Sequence, residues 1–100
     1  MSRRWKLNSK GYYLNQISDN ILAIIKPGHL YQGGYLQDGE RVVPNGEGVL
    51  ITETGMFTGS FKVGQPQGNG SYYDRVNGTI YQGSWNQGKL ERGKMSREDF

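Results

Sequence analysis

Short hydrophobic segments alternate with glycine-rich turns along most of the chain. Three segments share one pattern, in which single residues separate an aromatic residue, a glycine and a second aromatic residue: Tyr31-Gln-Gly33-Gly-Tyr35, Phe57-Thr-Gly59-Ser-Phe61 and Tyr81-Gln-Gly83-Ser-Trp85. They begin 26 and 24 residues apart. Recurrence at this spacing is typical of repeat proteins. We therefore expect about two and a half copies of one structural unit.

Each unit predicts a β-hairpin. Positions i, i+2 and i+4 of a strand share one face, so the two rings of a unit flank its glycine. The first two copies continue through a Gly-x-Gly step, Gly46-Glu-Gly48 and Gly68-Asn-Gly70, whereas the third has only Gly93. Stacking the hairpins would align the glycines between two rows of rings, which are Tyr31, Phe57, Tyr81 and Tyr35, Phe61, Trp85. Because aromatic side chains bury large areas, these rows are the predicted core.

The pattern resembles the MORN (membrane occupation and recognition nexus) repeat, whose units begin Tyr-x-Gly-x-Trp and continue through Gly-x-x-x-Gly-x-Gly to an aromatic residue. The segment Gly64-Gln-Pro-Gln-Gly68-Asn-Gly70-Ser-Tyr72 matches the second half directly. In the first copy, seven positions separate Gly39 from Gly46 where four separate Gly64 from Gly68. The resemblance covers residues 28–95. It implies an all-β fold, an elongated and twisted single sheet of stacked antiparallel hairpins with a concave, grooved face.

The predicted organisation is an N-terminal cap over residues 1–27, repeats over 28–55 and 56–78, a partial repeat over 79–95 and a tail over 96–100. Turn-forming residues divide the cap into Trp5-Lys-Leu7, Gly11-Tyr-Tyr-Leu14 and Ile21-Leu-Ala-Ile-Ile25. We interpret these segments as a capping β-meander, because the end of a repeat array needs a cap.

Three alternatives to this organisation remain open. In the cap, Ile17, Ile21, Ile24 and Ile25 also fit helical spacing, with Ser18 as the N-cap. The segment from Lys89 onward could form a short helix or hang free. A compact barrel is the alternative fold. In a barrel, the likeness of the three aromatic-glycine-aromatic segments would be a coincidence.

Composition excludes several classes of site. The chain has no cysteine and one histidine, His29, which leaves no disulfide framework and almost nothing for a metal centre. The segment from Gly83 to Lys89 resembles a phosphate-binding G-x-x-x-x-G-K loop but lacks the Ser or Thr that should follow the lysine. No nucleophile stands with a base and an orienting acid. We therefore expect no enzyme, no metal and no cofactor.

The predicted function is that of a protein-interaction module or scaffold. A groove lined with aromatic residues and glycines suits an extended peptide or an amphipathic helix of a partner protein. Tyrosine and tryptophan are common interface anchors. The candidate contacts are Tyr35, Phe61, Tyr72 and Trp85, with Tyr31, Phe57 and Tyr81 nearer the core.

The charge distribution suggests two other partners and argues against a third. Residues 1–26 carry five cations and one acid, whereas residues 27–88 carry three cations and five acids. Binding to anionic phospholipid, which the resemblance also implies, would therefore use the N-terminal cluster: Arg3, Arg4, Trp5, Lys6 and Lys10. The truncated third repeat suggests a homodimer through the C-terminal end. Nucleic acid is not expected, because the rings lie in the acidic body. We expect a cytoplasmic protein, with membrane or cytoskeletal association as a further expectation.

Overall fold

One antiparallel sheet accounts for the whole described part of the chain. The structure is a computed structural model that describes residues 6–7, 11–39 and 41–97. Within these ranges nine strands follow one another across the sheet in chain order, each paired with the next. The strands are β1 (Lys6–Leu7), β2 (Tyr13–Gln16), β3 (Leu22–Lys26), β4 (His29–Asp38), β5 (Arg41–Thr52), β6 (Gly55–Lys62), β7 (Gln65–Asp74), β8 (Thr79–Asn86) and β9 (Lys89–Arg97).

The predicted all-β fold is confirmed, and so is the capping β-meander. The helix alternative in the cap is wrong, because Ile17 donates its N–H to the Ile21 carbonyl at 2.9 Å and so closes a turn between β2 and β3. The expectation of a short helix or a free segment after Lys89 is wrong for residues 89–97, which form β9. The rest of the predicted tail, residues 98–100, lies outside the described residues. The barrel alternative fails as well: β1 and β9 lie at opposite edges of an open sheet. The molecule is accordingly elongated, with extents of 42 × 26 × 25 Å.

Each predicted repeat corresponds to one hairpin: β4–β5, β6–β7 and β8–β9. The extra residues of the first copy lengthen its strands rather than its loop. β4 and β5 have 10 and 12 residues, against 8 and 10 for β6 and β7. The added pairs are Gln37↔Val42 and Asp38↔Arg41, since Tyr35↔Pro44 corresponds to Phe61↔Pro66 of the second hairpin. The first hairpin therefore extends past the others on the side of its turn.

The Gly-x-Gly step has a structural reason. Between the pairs Gly33↔Gly48 and Tyr35↔Pro44, β4 advances by two residues while β5 advances by four. The extra residues form a bulge that contains Gly46, whose φ of 97° favours glycine. Gly68 repeats this arrangement in β7, with φ 99°. In β9 the shift is smaller, and Glu91 stands where the first glycine of the step would be. This explains why the third copy has one glycine there.

The turns of the repeats are bonded to the preceding repeat. Val63 and Gly64, both with positive φ, form the β6–β7 turn, and a turn of this kind suits the twist of a hairpin. The Gly64 N–H donates to the Pro44 carbonyl at 2.8 Å, and the Val63 N–H donates to Asn45 Oδ1 at 3.0 Å. One repeat later, Gly88 and Gln87 bond to Pro66 and Gln67 in the same way. Successive hairpins are thus locked in one register.

The core lies on one face of the sheet, which we call the ring face. Its buried side chains are Leu22, Ile24, Tyr31, Phe57, Phe61 and Trp85. No second layer covers this face within the described residues, so the sheet must curl around its own side chains to bury them. Twist and bulges both promote such curling. We call the other side of the sheet the opposite face.

Candidate functional site

Aromatic rings pack edge to face along the ring face. The Phe61 ring lies 5.2 Å from that of Tyr31 and 5.1 Å from that of Phe57, and Trp85 lies 5.2 Å from Phe57, all measured between centroids. The interplanar angles are 79–89° in these three pairs. Edge-to-face contacts of this kind are favourable beyond the area that they bury. A ring of one repeat therefore packs against a ring two strands further on, in the next repeat.

A row of glycines makes room for these rings. The aligned residues are Gly33, Gly48, Gly59, Gly70, Gly83 and Gly93. A Cβ atom at Gly48 would stand 2.7 Å from Cζ of Tyr31, and one at Gly70 would stand 2.9 Å from Cε2 of Phe57. Real Cβ atoms do not approach so closely. In the first two repeats a glycine, Gly48 or Gly70, is thus the floor on which a ring lies.

Two polar groups of the stack are satisfied by backbone carbonyls. Tyr31 donates its hydroxyl to the Gly34 carbonyl at 2.6 Å, and Trp85 donates its indole N–H to the Gly70 carbonyl at 3.0 Å. Burial, and secondarily the negative charge of Glu47, raises the pKa of Tyr31 from 10.0 to about 12. The hydroxyl is therefore neutral over the physiological range and serves as a structural donor.

The structure divides the seven predicted contact residues into buried and accessible rings differently from the expectation. Phe61 and Trp85, predicted as partner contacts, are only 4% and 8% exposed. They are buried because each reaches back over the glycine row to a ring two strands earlier, which the spacing within one strand does not reveal. Tyr31 and Phe57 are buried as expected, whereas Tyr81, placed nearer the core, is partly exposed along with Tyr35 and Tyr72. Of these seven rings, the accessible ones are thus three tyrosines.

The N-terminal cap, β1 to β3, covers the end of the ring row that lies in the first repeat. Tyr35 exchanges hydrogen bonds with the side chain of Gln16 in β2: the Gln16 Nε2 group donates at 2.9 Å, and the Tyr35 hydroxyl donates to Oε1 at 3.2 Å. Leu14 and Tyr12 pack against the same core. The cap therefore supplies the neighbours that a preceding repeat would supply.

The other end of the row has no such cover among the described residues. Tyr81 has the position in β8 that Tyr31 and Phe57 have in β4 and β6, but no ring packs on it from two strands further on. Its ring neighbour is Tyr72, at 6.3 Å. Met95, paired with Tyr81, is 68% exposed. We call the group Tyr72, Tyr81, Leu90 and Met95 the open end.

A shallow depression of about 420 Å³ adjoins this open end. It is lined by Asn77, Thr79, Tyr81, Met95 and Ser96. The hydroxyl of Tyr81 forms no hydrogen bond with any residue that the structure describes. A ring with a free polar handle beside an exposed methionine can accept an apolar side chain together with a hydrogen-bonding group.

Sequence reasoning missed a row of apolar side chains on the opposite face. Cross-strand pairing aligns one such residue from each of β1 to β8: Leu7, Tyr13, Ile25, Leu30, Ile51, Met56, Tyr73 and Ile80. The first six are exposed. The signal was present in the sequence, because each residue alternates with the ring-face positions of its own strand. The row is less evident in the sequence than the repeated aromatic pattern, because its members differ in residue type.

The remaining predicted residues are those of the basic cluster. Lys6 lies in β1, whereas Arg3, Arg4, Trp5 and Lys10 lie outside the described residues. In the described ranges, no three His, Asp or Glu side chains are grouped so as to hold a metal ion. Among the same residues there is no helix of the length and apolarity needed to cross a membrane.

Comparison of the sequence with known protein families and with curated proteins finds no match. The fold and the geometry of the ring face therefore carry the functional argument.

Proposed function

We propose that this protein is a non-enzymatic interaction module of the MORN-repeat kind, which binds a segment of a partner protein at the open end of its ring face. The observation that carries the proposal is the unfinished ring contact of Tyr81. Tyr31 and Phe57, its equivalents, are 2% and 3% exposed because a ring of the next repeat packs on each. The ring of Tyr81 keeps an accessible face, and a side chain of the partner would pack on this face and so complete the contact.

The chemistry of the open end supports a protein partner. Tyr72, Tyr81, Leu90 and Met95 are uncharged side chains with apolar surface, and two of them carry hydroxyls. Tyrosines of this kind serve as anchors because they combine a large contact area with a polar group. The buried ring of Trp85 would act indirectly, by holding Tyr72 in place, and Phe61 would act through the core of the ring stack. A cytoplasmic location, with membrane or cytoskeletal association, belongs to the same proposal.

A peptide library displayed on phage tests this proposal. Peptides selected on the wild-type protein should lose at least about tenfold in affinity on Tyr81→Ala, as expected for an interface anchor. The matched control is Tyr73→Ala, because Tyr73 lies on the opposite face of the adjacent strand. Circular dichroism should show both variants folded. Failure to enrich any peptide, or equal affinity for the Tyr81→Ala variant, would refute the open end as a binding site.

Binding to anionic membranes is the second candidate, and one observation favours it. Leu7 and Tyr13, at the first edge of the sheet, are exposed on the opposite face, and they follow closely in sequence on the cations of the predicted basic cluster. Apolar and aromatic side chains beside cations are typical of peripheral membrane contacts. Co-sedimentation with phosphatidylserine vesicles at low salt should then be lost on Arg3/Arg4/Lys6→Ala. It should persist on Arg41/Lys62/Arg75→Ala, which removes the same charge elsewhere.

A further inference from the structure

β9 is a long strand with one unpaired side. It runs Lys89–Arg97 and pairs with β8, but none of the described strands pairs with its other edge. Unpaired N–H and C=O groups along such an edge are a template for another strand. The edge at β1, by contrast, is two residues long in the described part of the chain. β9 is therefore the edge at which an added strand would find a full set of backbone partners.

The two faces of β9 differ in chemistry. Lys89, Arg92 and Lys94 pair with Asn86, Ser84 and Gln82 and so lie on the opposite face. Leu90, Gly93 and Met95 pair with Trp85, Gly83 and Tyr81 and so lie on the ring face.

Lys89, Arg92 and Lys94 are exposed and unpaired. None of them forms an ion pair with a described carboxylate. The polar partners of these cations in β8 carry no charge. Glu91, in the bulge of the same strand, offsets one of these charges. An added strand would therefore meet a net positive charge on one side and apolar surface on the other.

The repeat specifies what an added strand should carry on the ring face. Phe61 in β6 packs on Tyr31 in β4, and Trp85 in β8 packs on Phe57 in β6. By the same geometry, a tenth strand would place an aromatic ring on Tyr81. The glycine row would continue with a small residue opposite Gly93, as Gly59 stands opposite Gly48 and Gly83 opposite Gly70.

We propose that β9 captures an extended, acidic segment of a partner protein as a tenth strand, with an aromatic side chain packed on Tyr81 and carboxylates beside Arg92 and Lys94. This deepens the proposed function and rests on it, since the same open end is used. Backbone hydrogen bonds along the edge supply affinity, and the alternating side chains supply specificity.

Charge decides between this partner and a second copy of the chain. Pairing β9 with β9 of another molecule would bring Lys89, Arg92 and Lys94 of both copies together, and like charges at a strand edge oppose such pairing. An acidic strand meets complementary charge instead. The charges of β9 therefore disfavour pairing with a second copy of the chain and favour pairing with an acidic segment.

A charge-swap experiment tests the proposal. The probe is a fluorescein-labelled peptide of sequence EFEGEWE, which pairs its glycine with Gly93 and its glutamates with Arg92 and Lys94; the control is KFKGKWK. Fluorescence anisotropy at low salt should show EFEGEWE binding to the wild type and about tenfold weaker binding to Arg92→Glu/Lys94→Glu. That variant should prefer KFKGKWK. Arg41→Glu/Lys62→Glu, which makes the same charge change on other strands, should bind like the wild type.

Other outcomes overturn the proposal in recognisable ways. Equal binding of polyglutamate would mean charge attraction without strand pairing or a ring contact. Unchanged binding to Tyr81→Ala would mean that no ring packs there. Wild-type self-association that competes with the peptide would make a second copy the occupant. If library peptides need Tyr81 but are indifferent to Arg92→Glu/Lys94→Glu, the proposed function stands and strand capture by charge is wrong.

Discussion

The ring of Tyr31 lies on the backbone of Gly48, so closely that a Cβ atom at residue 48 would stand 2.7 Å from Cζ of the ring. The two residues belong to adjacent strands, β4 and β5. Phe57 and Gly70 repeat the arrangement in the next hairpin. A single sheet gains a core in this way: the glycine removes a side chain, and a ring occupies its place.

Substituting either floor glycine with alanine should therefore destabilise the protein. We expect Gly48→Ala and Gly70→Ala each to lower the free energy of unfolding by about 1–3 kcal/mol, the usual cost of overpacking. This is a net loss, because alanine also restricts the unfolded chain and so favours folding slightly. Urea unfolding followed by circular dichroism measures it. Ser71→Ala, next to Gly70 but on the opposite face, should change little; an equal loss there would contradict the explanation.

Trp85 should be more important for folding than for binding. Its ring packs on Phe57, and its indole N–H donates to the Gly70 carbonyl at 3.0 Å. Trp85→Ala should cost about 3–5 kcal/mol of unfolding free energy, as large-to-small changes in a core do. Trp85→Phe keeps a ring and should cost much less. Thermal melts of the two variants that coincide with the wild type would show that the ring stack is not the core.

The stability contributed by Tyr31 should depend on pH in one window. Its pKa in the folded protein, about 12, lies above the ordinary value of 10.0 that we expect in the unfolded chain. The contribution is therefore complete below pH 10 and is lost as the pH rises from 10 to 12.

Comparing Tyr31→Phe with the wild type isolates this contribution. At pH 8 the variant should be less stable by about 1 kcal/mol, because the Gly34 carbonyl loses its donor. At pH 11 the difference should shrink, since the wild type alone is destabilised by ionisation of this hydroxyl. Tyr73→Phe is the control on the opposite face. A difference that stays constant between pH 8 and pH 11 would contradict the assigned pKa.

Removing three cations of β9 should make the protein associate. Lys89→Gln/Arg92→Gln/Lys94→Gln leaves the backbone edge intact but removes the repulsion between copies. Static light scattering over a range of concentrations should show the triple variant forming dimers or larger species at concentrations where the wild type does not. Arg41→Gln/Lys62→Gln/Arg75→Gln alters net charge equally and serves as the control. If the control associates just as strongly, net charge and not the edge is responsible.

Much of the fold could be predicted from the sequence, because the glycine spacing marks each hairpin and places Gly33, Gly48 and Gly59 in one row. The bulges at Gly46 and Gly68 could not be predicted, because a Gly-x-Gly step does not reveal which glycine bends the strand and which lies beneath a ring. The burial of Phe61 was missed for a related reason: it depends on a contact with Tyr31, two strands away. The basis for the open end was present in the sequence, because Tyr81 belongs to the last of the three matching segments.

Amide hydrogen exchange of the protein with and without the EFEGEWE peptide tests the capture of a tenth strand most directly. Edge amides exchange readily unless a partner strand pairs with them. We predict that the peptide slows exchange at alternate residues of β9, from Lys89 to Arg97, and leaves β2 to β6 unchanged. Protection confined to the opposite-face row, or no change in β9 at a saturating peptide concentration, would contradict it.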